Sequence, residues 1–140
     1  MARTLPEGES LLVRTDFTDD TAWAHVLSEV IASYDEDMMT GLTPVDDVTF
    51  DGLTPADLAD LVDGQTYVFL ADTTTMTDPE HPLLAVDTSD EDVRGDGDRV
   101  FRIAPIAMAE VEVNFFLSNM DFEDYAGSVD DDGVFRGFDR

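Results

Sequence analysis

Three apolar, β-rich runs end in aspartate: residues 11–15 lead to Asp16, residues 66–71 to Asp72 and residues 83–86 to Asp87. Carboxylates are hard oxygen ligands. Two or three on one sheet edge could hold Mg²⁺, and the ion could polarise a phosphoryl oxygen. Asp19 or Asp20, at the start of the next element, could join them. The arrangement requires parallel, adjacent strands whose carboxyl ends meet, the usual ligand edge of an open α/β sheet. Against it stands the ordinary role of aspartate after a strand, which is to cap the following turn or helix. With 24 aspartates in 140 residues, three such positions arise easily by coincidence.

Other chemistries are thinly represented. Asp90, Asp92, Asp96 and Asp98 with Gly95 partly fit a calcium loop. Arg94 stands at its fifth position and Phe101 at its twelfth, so the bidentate carboxylate is missing. The histidines, His25 and His81, are too few and too far apart in sequence for a zinc site. His25 lies four residues before Glu29, the spacing of a surface helix pair. The chain has no cysteine and no lysine. This removes thiolate nucleophiles, disulfides, Schiff bases and the phosphate-loop lysine. No nucleophile elbow or nucleotide-binding glycine loop is present. No catalytic residue and no cofactor is therefore assigned. A Mg²⁺-dependent phosphate chemistry at Asp16, Asp72 and Asp87 is the enzymatic alternative.

Charge is the strongest signal. Thirty-three acids against seven arginines give −26. Such a field repels nucleic acid and anionic membrane and attracts basic proteins. It suits an immunity- or inhibitor-type protein covering a basic surface, or a nucleic-acid mimic. Residues 34–100 carry 18 of the acids against Arg94 and Arg99. The expected contact surface there is Asp35, Glu36, Asp37, Asp46, Asp47, Asp90, Glu91 and Asp92, with Met38 and Met39 adding apolar area. A further alternative separates function from charge: aspartate enrichment and loss of lysine also suit a salt-rich interior, where screening is short-ranged. Residues 1–9 lack the basic and apolar regions of a signal peptide, and no apolar run reaches membrane-span length, so a cytoplasmic location is expected.

These residues need a scaffold, and the pattern supplies one. Residues 11–15 read as a first strand. Residues 19–34 follow as a helix with Thr18 or Asp19 as cap and a stripe of Trp23, Val26, Leu27, Val30, Ile31 and Tyr34. Residues 34–47 read as a loop and 48–50 as a short strand. Thr54, Pro55 and Asp57 form a helix start ahead of Leu58, Leu61 and Val62. Residues 66–71 and 83–86 read as buried strands, with 72–82 and 89–98 as loops. Residues 99–103 alternate like a strand with one wet face. Residues 106–117 fit helix better than strand. Asp121 caps a short helix carrying Phe122 and Tyr125, and residues 130–135 read as a turn into an extended tail. The expected product is a polar segment 1–10 and a single α/β domain over 11–138, with a mixed sheet of about five strands and two to four helices.

Several segments resemble a known family. They are Leu11-Leu12-Val13-Arg14-Thr15-Asp16-Phe17 with Trp23, Tyr67-Val68-Phe69-Leu70-Ala71-Asp72, and His81-Pro82-Leu83-Leu84-Ala85-Val86-Asp87. Phe101-Arg102-Ile103-Ala104-Pro105, Asn119-Met120-Asp121-Phe122 and Asp132-Gly133-Val134-Phe135-Arg136-Gly137-Phe138 complete the set. In this order they look like an uncharacterised family of bacterial, mostly actinobacterial, proteins of similar length, defined as a domain of unknown function. The resemblance spans about Leu11 to Phe138 and implies no activity, cofactor or site.

Overall fold

A computed structural model describes residues 10–34, 42–58, 61, 67–88, 100–116 and 122–137. Six strands form one mixed sheet: β1 (Ser10–Arg14), β2 (Leu42–Val45), β3 (Tyr67–Ala71), β4 (Leu83–Asp87), β5 (Val100–Ile103) and β6 (Val134–Phe135). Their spatial order is β2-β1-β3-β4-β5-β6. Both neighbours of β1 run parallel to it, β5 and β6 are parallel to each other, and β4 is antiparallel to both β3 and β5. Five strands thus point one way and β4 points the other.

The apolar runs explain the centre of the sheet. Every residue of β1, β3 and β4 is buried, as expected of strands covered on both faces. Alternate side chains enter two cores. On one face Leu12, Phe69, Ala85, Phe101, Ile103 and Phe135 meet α1 (Asp20–Ala32), α4 (Met108–Phe116) and α5 (Phe122–Ala126). On the other face Leu11, Val13, Val68, Leu70, Leu84 and Val86 meet Phe50, Leu53 and Leu58, the last from α2 (Pro55–Leu58). Aromatic rings fill the helix-side core: Tyr125 lies edge-on to Phe135 at 4.9 Å and to Phe115 at 5.4 Å.

Several expectations hold. Asp19 caps α1 by accepting from Ala22 N at 3.0 Å. Thr54 and Asp57 exchange hydrogen bonds at the start of α2. Residues 108–116 are helical, and β5 has one half-exposed face. Others are corrected. Ile31 is 66% exposed, because the buried arc of α1 runs through Ala22, Trp23, Val26 and Val30 and leaves Ile31 on its far side. Residues 42–45, expected in a loop, form the edge strand β2, where Pro44 is tolerated. Residues 48–50, expected as a strand, form a 3₁₀ turn: the Asp47 carboxylate accepts from Thr49 N at 3.0 Å and Phe50 N donates to Asp47 O at 2.9 Å. Residues 73–77, expected in a loop, form the short helix α3 (Thr73–Thr77). The sheet has six strands because the tail pairs with β5. Asp121, Val62 and residues 89–98 lie outside the described residues.

Candidate functional site

The carboxyl ends of β1, β2, β3, β5 and β6 share one edge. The chain leaves β1 for β2 on one side and later enters β3 on the other, so the switch point lies between β1 and β3. Arg14 ends β1 there, with a side chain only 3% exposed. Its Nε donates to Asp16 O at 2.9 Å, Nη2 to Asp20 Oδ1 at 2.7 Å and Nη1 to Asp46 Oδ1 at 3.3 Å. Phe17 and Trp23 stack on the guanidinium at 4.5 and 5.6 Å, a cation–π pairing strengthened by its desolvation.

The strand-end aspartates are occupied by protein donors. Asp16 accepts from Thr18 N at 2.9 Å and Thr18 Oγ1 at 2.7 Å. These two bonds, with a third from the Thr73 hydroxyl and the charge of Arg14, outweigh burial and hold its carboxyl below the usual range. Asp72 caps α3 through Thr75 N and is gripped bidentately by Arg102, whose Nη1 and Nη2 donate at 2.8 and 2.9 Å. Burial pushes the Asp72 carboxyl up, but Arg102 and Thr75 together bring it below the usual value. Asp87 lies at the opposite end of the sheet, opposite Tyr67 at the start of β3, because β4 runs antiparallel. The expectation that Asp16, Asp72 and Asp87 share one edge therefore fails at Asp87. Among the described residues no group of three His, Cys, Asp or Glu side chains is placed to hold a metal ion.

Two residues of the expected acidic contact surface are described. Asp46 reaches Arg14, and Asp47 caps its turn, its carboxyl held low by Thr49. Asp35, Glu36, Asp37, Met38, Met39, Asp90, Glu91 and Asp92 lie outside the described residues, as does the calcium-loop-like stretch.

The helix-covered face carries a groove of about 440 Å³ that sequence reasoning missed. Glu29 and Ala32 of α1 with its C-cap Ser33 form one wall, Pro79 and Glu80 of the turn before β4 another, and Ala104, Pro105 and Ile106 the third. Ile106 is 77% exposed. Glu80 is fixed by Arg136, whose Nε and Nη2 each donate to it at 2.7 Å. The same guanidinium bonds Asp130 and Asp132, each at 2.6 Å. Glu80, Asp132 and Asp130 raise the Arg136 pKa further, and Arg136 in turn holds Asp132 low. Beside Glu80, His81 takes a left-handed backbone (φ 54°), and its Nδ1 donates to Thr75 O at 2.8 Å. That places the His81 ring 6.4 Å from the ring of His25, edge to face. The histidines are thus neighbours in space although 56 residues apart. Three separate segments build this region, so no local signal could have revealed it.

A buried polar chain lies toward the amino edge of β1. Glu112 of α4, 1% exposed, accepts from Ser10 Oγ at 3.0 Å and Tyr34 Oη at 2.7 Å. Ser10 in turn receives the Tyr67 hydroxyl at 2.7 Å. The chain ties α4 to β1, β3 and the end of α1 and satisfies the carboxylate internally. All three described arginines are likewise committed to carboxylates within the fold: Arg14 to Asp20 and Asp46, Arg102 to Asp72, Arg136 to Glu80, Asp130 and Asp132.

No curated protein matches the chain. A family model does match, over residues 9–138, nearly the whole length. The chain belongs to the family described as Domain of unknown function (DUF6924).

Proposed function

We propose that the chain is a non-catalytic acidic module that docks on a basic protein. The observation that carries this reading is the fate of the arginines. Arg14, Arg102 and Arg136 are each spent on carboxylates of the same chain, so the positive charge of the described fold is consumed internally. The surplus acids then set the outward field, and that field accelerates encounter with cations and repels nucleic acid. The strand-end aspartates support no metal chemistry in the same way: Asp16 and Asp72 serve as caps and ion-pair partners, and Asp87 is on the far edge.

Salt tests the reading. A dedicated interface buries apolar area as well as charge, whereas diffuse attraction fades once the Debye length falls below about 8 Å. Capture from native lysate on the immobilised protein should retain one stoichiometric partner at about 0.3 M KCl. Its identity separates an immunity- or inhibitor-type role from nucleic-acid mimicry. Loss of every partner by about 0.15 M KCl would mean that the acidity serves solvation in salt and not docking.

A further inference from the structure

We propose that the groove between α1 and the Pro105–Ala107 turn receives a short segment of the basic partner that presents an aliphatic anchor between arginine or lysine residues. The inference rests on the acidic-module reading and gives it a location. Three observations converge. The groove volume of about 440 Å³ is that of a ligand-sized cleft, and its lining is mainly apolar, with Pro79 and Ile106 exposed and Pro105 buried behind them. Exposed Ile106 offers apolar area that a matching aliphatic side chain would remove from water.

The rim sets the sign of the occupant. Glu29 stands on one wall and Glu80 on another. Glu80 shares Arg136 with Asp130 and Asp132, and its own backbone N–H donates to the Asp78 carboxylate at 2.9 Å. Two carboxylates and no basic side chain line the groove, so a cation approaching it is attracted while an anion is repelled. A second copy of this chain, at −26, is excluded by the same argument.

The walls are fixed before any ligand arrives. Arg136 holds both oxygens of Glu80. The Ser33 hydroxyl donates to Val30 O at 2.6 Å and accepts from Ala109 N at 3.2 Å, locking the end of α1 to α4. A preformed groove avoids part of the ordering cost of binding.

The test uses the intact protein and a fluorescent hexapeptide with a leucine pair flanked by arginine pairs. One control peptide replaces the leucines by serine and keeps the charge. Ile106→Ser and Glu29→Gln alter exposed side chains and leave the core intact. The leucine peptide should bind about tenfold more tightly than the serine peptide, and Ile106→Ser should remove about that factor for the leucine peptide alone. Glu29→Gln should flatten the salt dependence of both peptides. Equal affinities for the two peptides, indifference to Ile106→Ser, or no binding at low salt would each overturn the groove assignment. The lysate capture keeps the two readings apart: a salt-resistant partner held equally by the protein and by Ile106→Ser refutes the groove and leaves the acidic module standing.

Discussion

At the scale of the residue, Asp72 shows how a strand-end carboxylate is used. Its oxygens receive Thr75 N and both terminal nitrogens of Arg102, from a strand two places away in the sheet. Asp72→Asn keeps a cap acceptor but loses the ion pair, at a cost of about 1–2 kcal/mol near neutral pH. Because the folded pKa is depressed, the contribution is complete above the unfolded value of about 3.9 and disappears as pH falls through the folded value. Denaturant midpoints should therefore show a gap between protein and variant at pH 7 that narrows toward pH 3; a constant gap would argue against the ionic role. Tyr125 behaves oppositely. Burial pushes its phenol up to about 12, the nearby charges of Glu110 and Asp124 add to the rise, and the Asn114 hydrogen bond offsets part of it. Stability from this group is whole below about pH 10 and is lost as pH climbs through 12. Tyr125→Phe should abolish the alkaline loss in that window, measured by denaturation alongside phenolate absorbance. Asp72 could be read in the sequence as a cap, since aspartate after a strand is ordinary. Its partner Arg102, 30 residues later, could not, and neither could the approach of His25 to His81.

At the scale of the element, legibility followed burial. β1, β3 and β4 are runs of apolar residues, and the period of α1 is unbroken, so these elements were visible in the chain. β2 was hidden because an edge strand with Pro44 and a half-polar face carries the composition of a loop. α3 was hidden because four of its five residues are threonine, a weak helix former held here by the Asp72–Thr75 capping box. The direction of β4 was also invisible: nothing in Leu83–Asp87 distinguishes parallel from antiparallel pairing, and that single reversal moves Asp87 to the far edge. Even a visible helix had an uncertain rotation, as Ile31 shows. The test is a pair of truncations on α1. Trp23→Ala, at 5% exposure and beneath the Arg14 guanidinium, should cost about 3–5 kcal/mol. Ile31→Ala should cost no more than about 0.5 kcal/mol. Similar losses at both positions in a denaturant titration would show that the helix is turned differently on the sheet.

At the scale of the whole molecule, two electrostatic terms act in opposite directions when salt is added. The ion pairs of Arg14, Arg102 and Arg136 are weakened, but Arg14 is shielded from solvent and Arg102 is held bidentately, so both are screened less than exposed charges. The repulsion among the surplus carboxylates is weakened too, and it involves a net 26 charges against three arginine centres. At about 0.1 M salt the Debye length of ~10 Å still lets acids on neighbouring loops repel; near 1 M it is ~3 Å and only contact pairs interact. The repulsive term is the larger, so the melting temperature should rise steadily with KCl over that range. Chloride is the proper anion, because sulfate is excluded from protein surfaces and stabilises proteins of any charge. The same screening acts on association: peptide affinity for the groove should fall over the interval in which the fold gains stability, since both respond to one field. A melting temperature that ignores KCl would mean that the carboxylates are too dispersed to repel, and a field too weak to strain the fold would also be too weak to gather a basic partner.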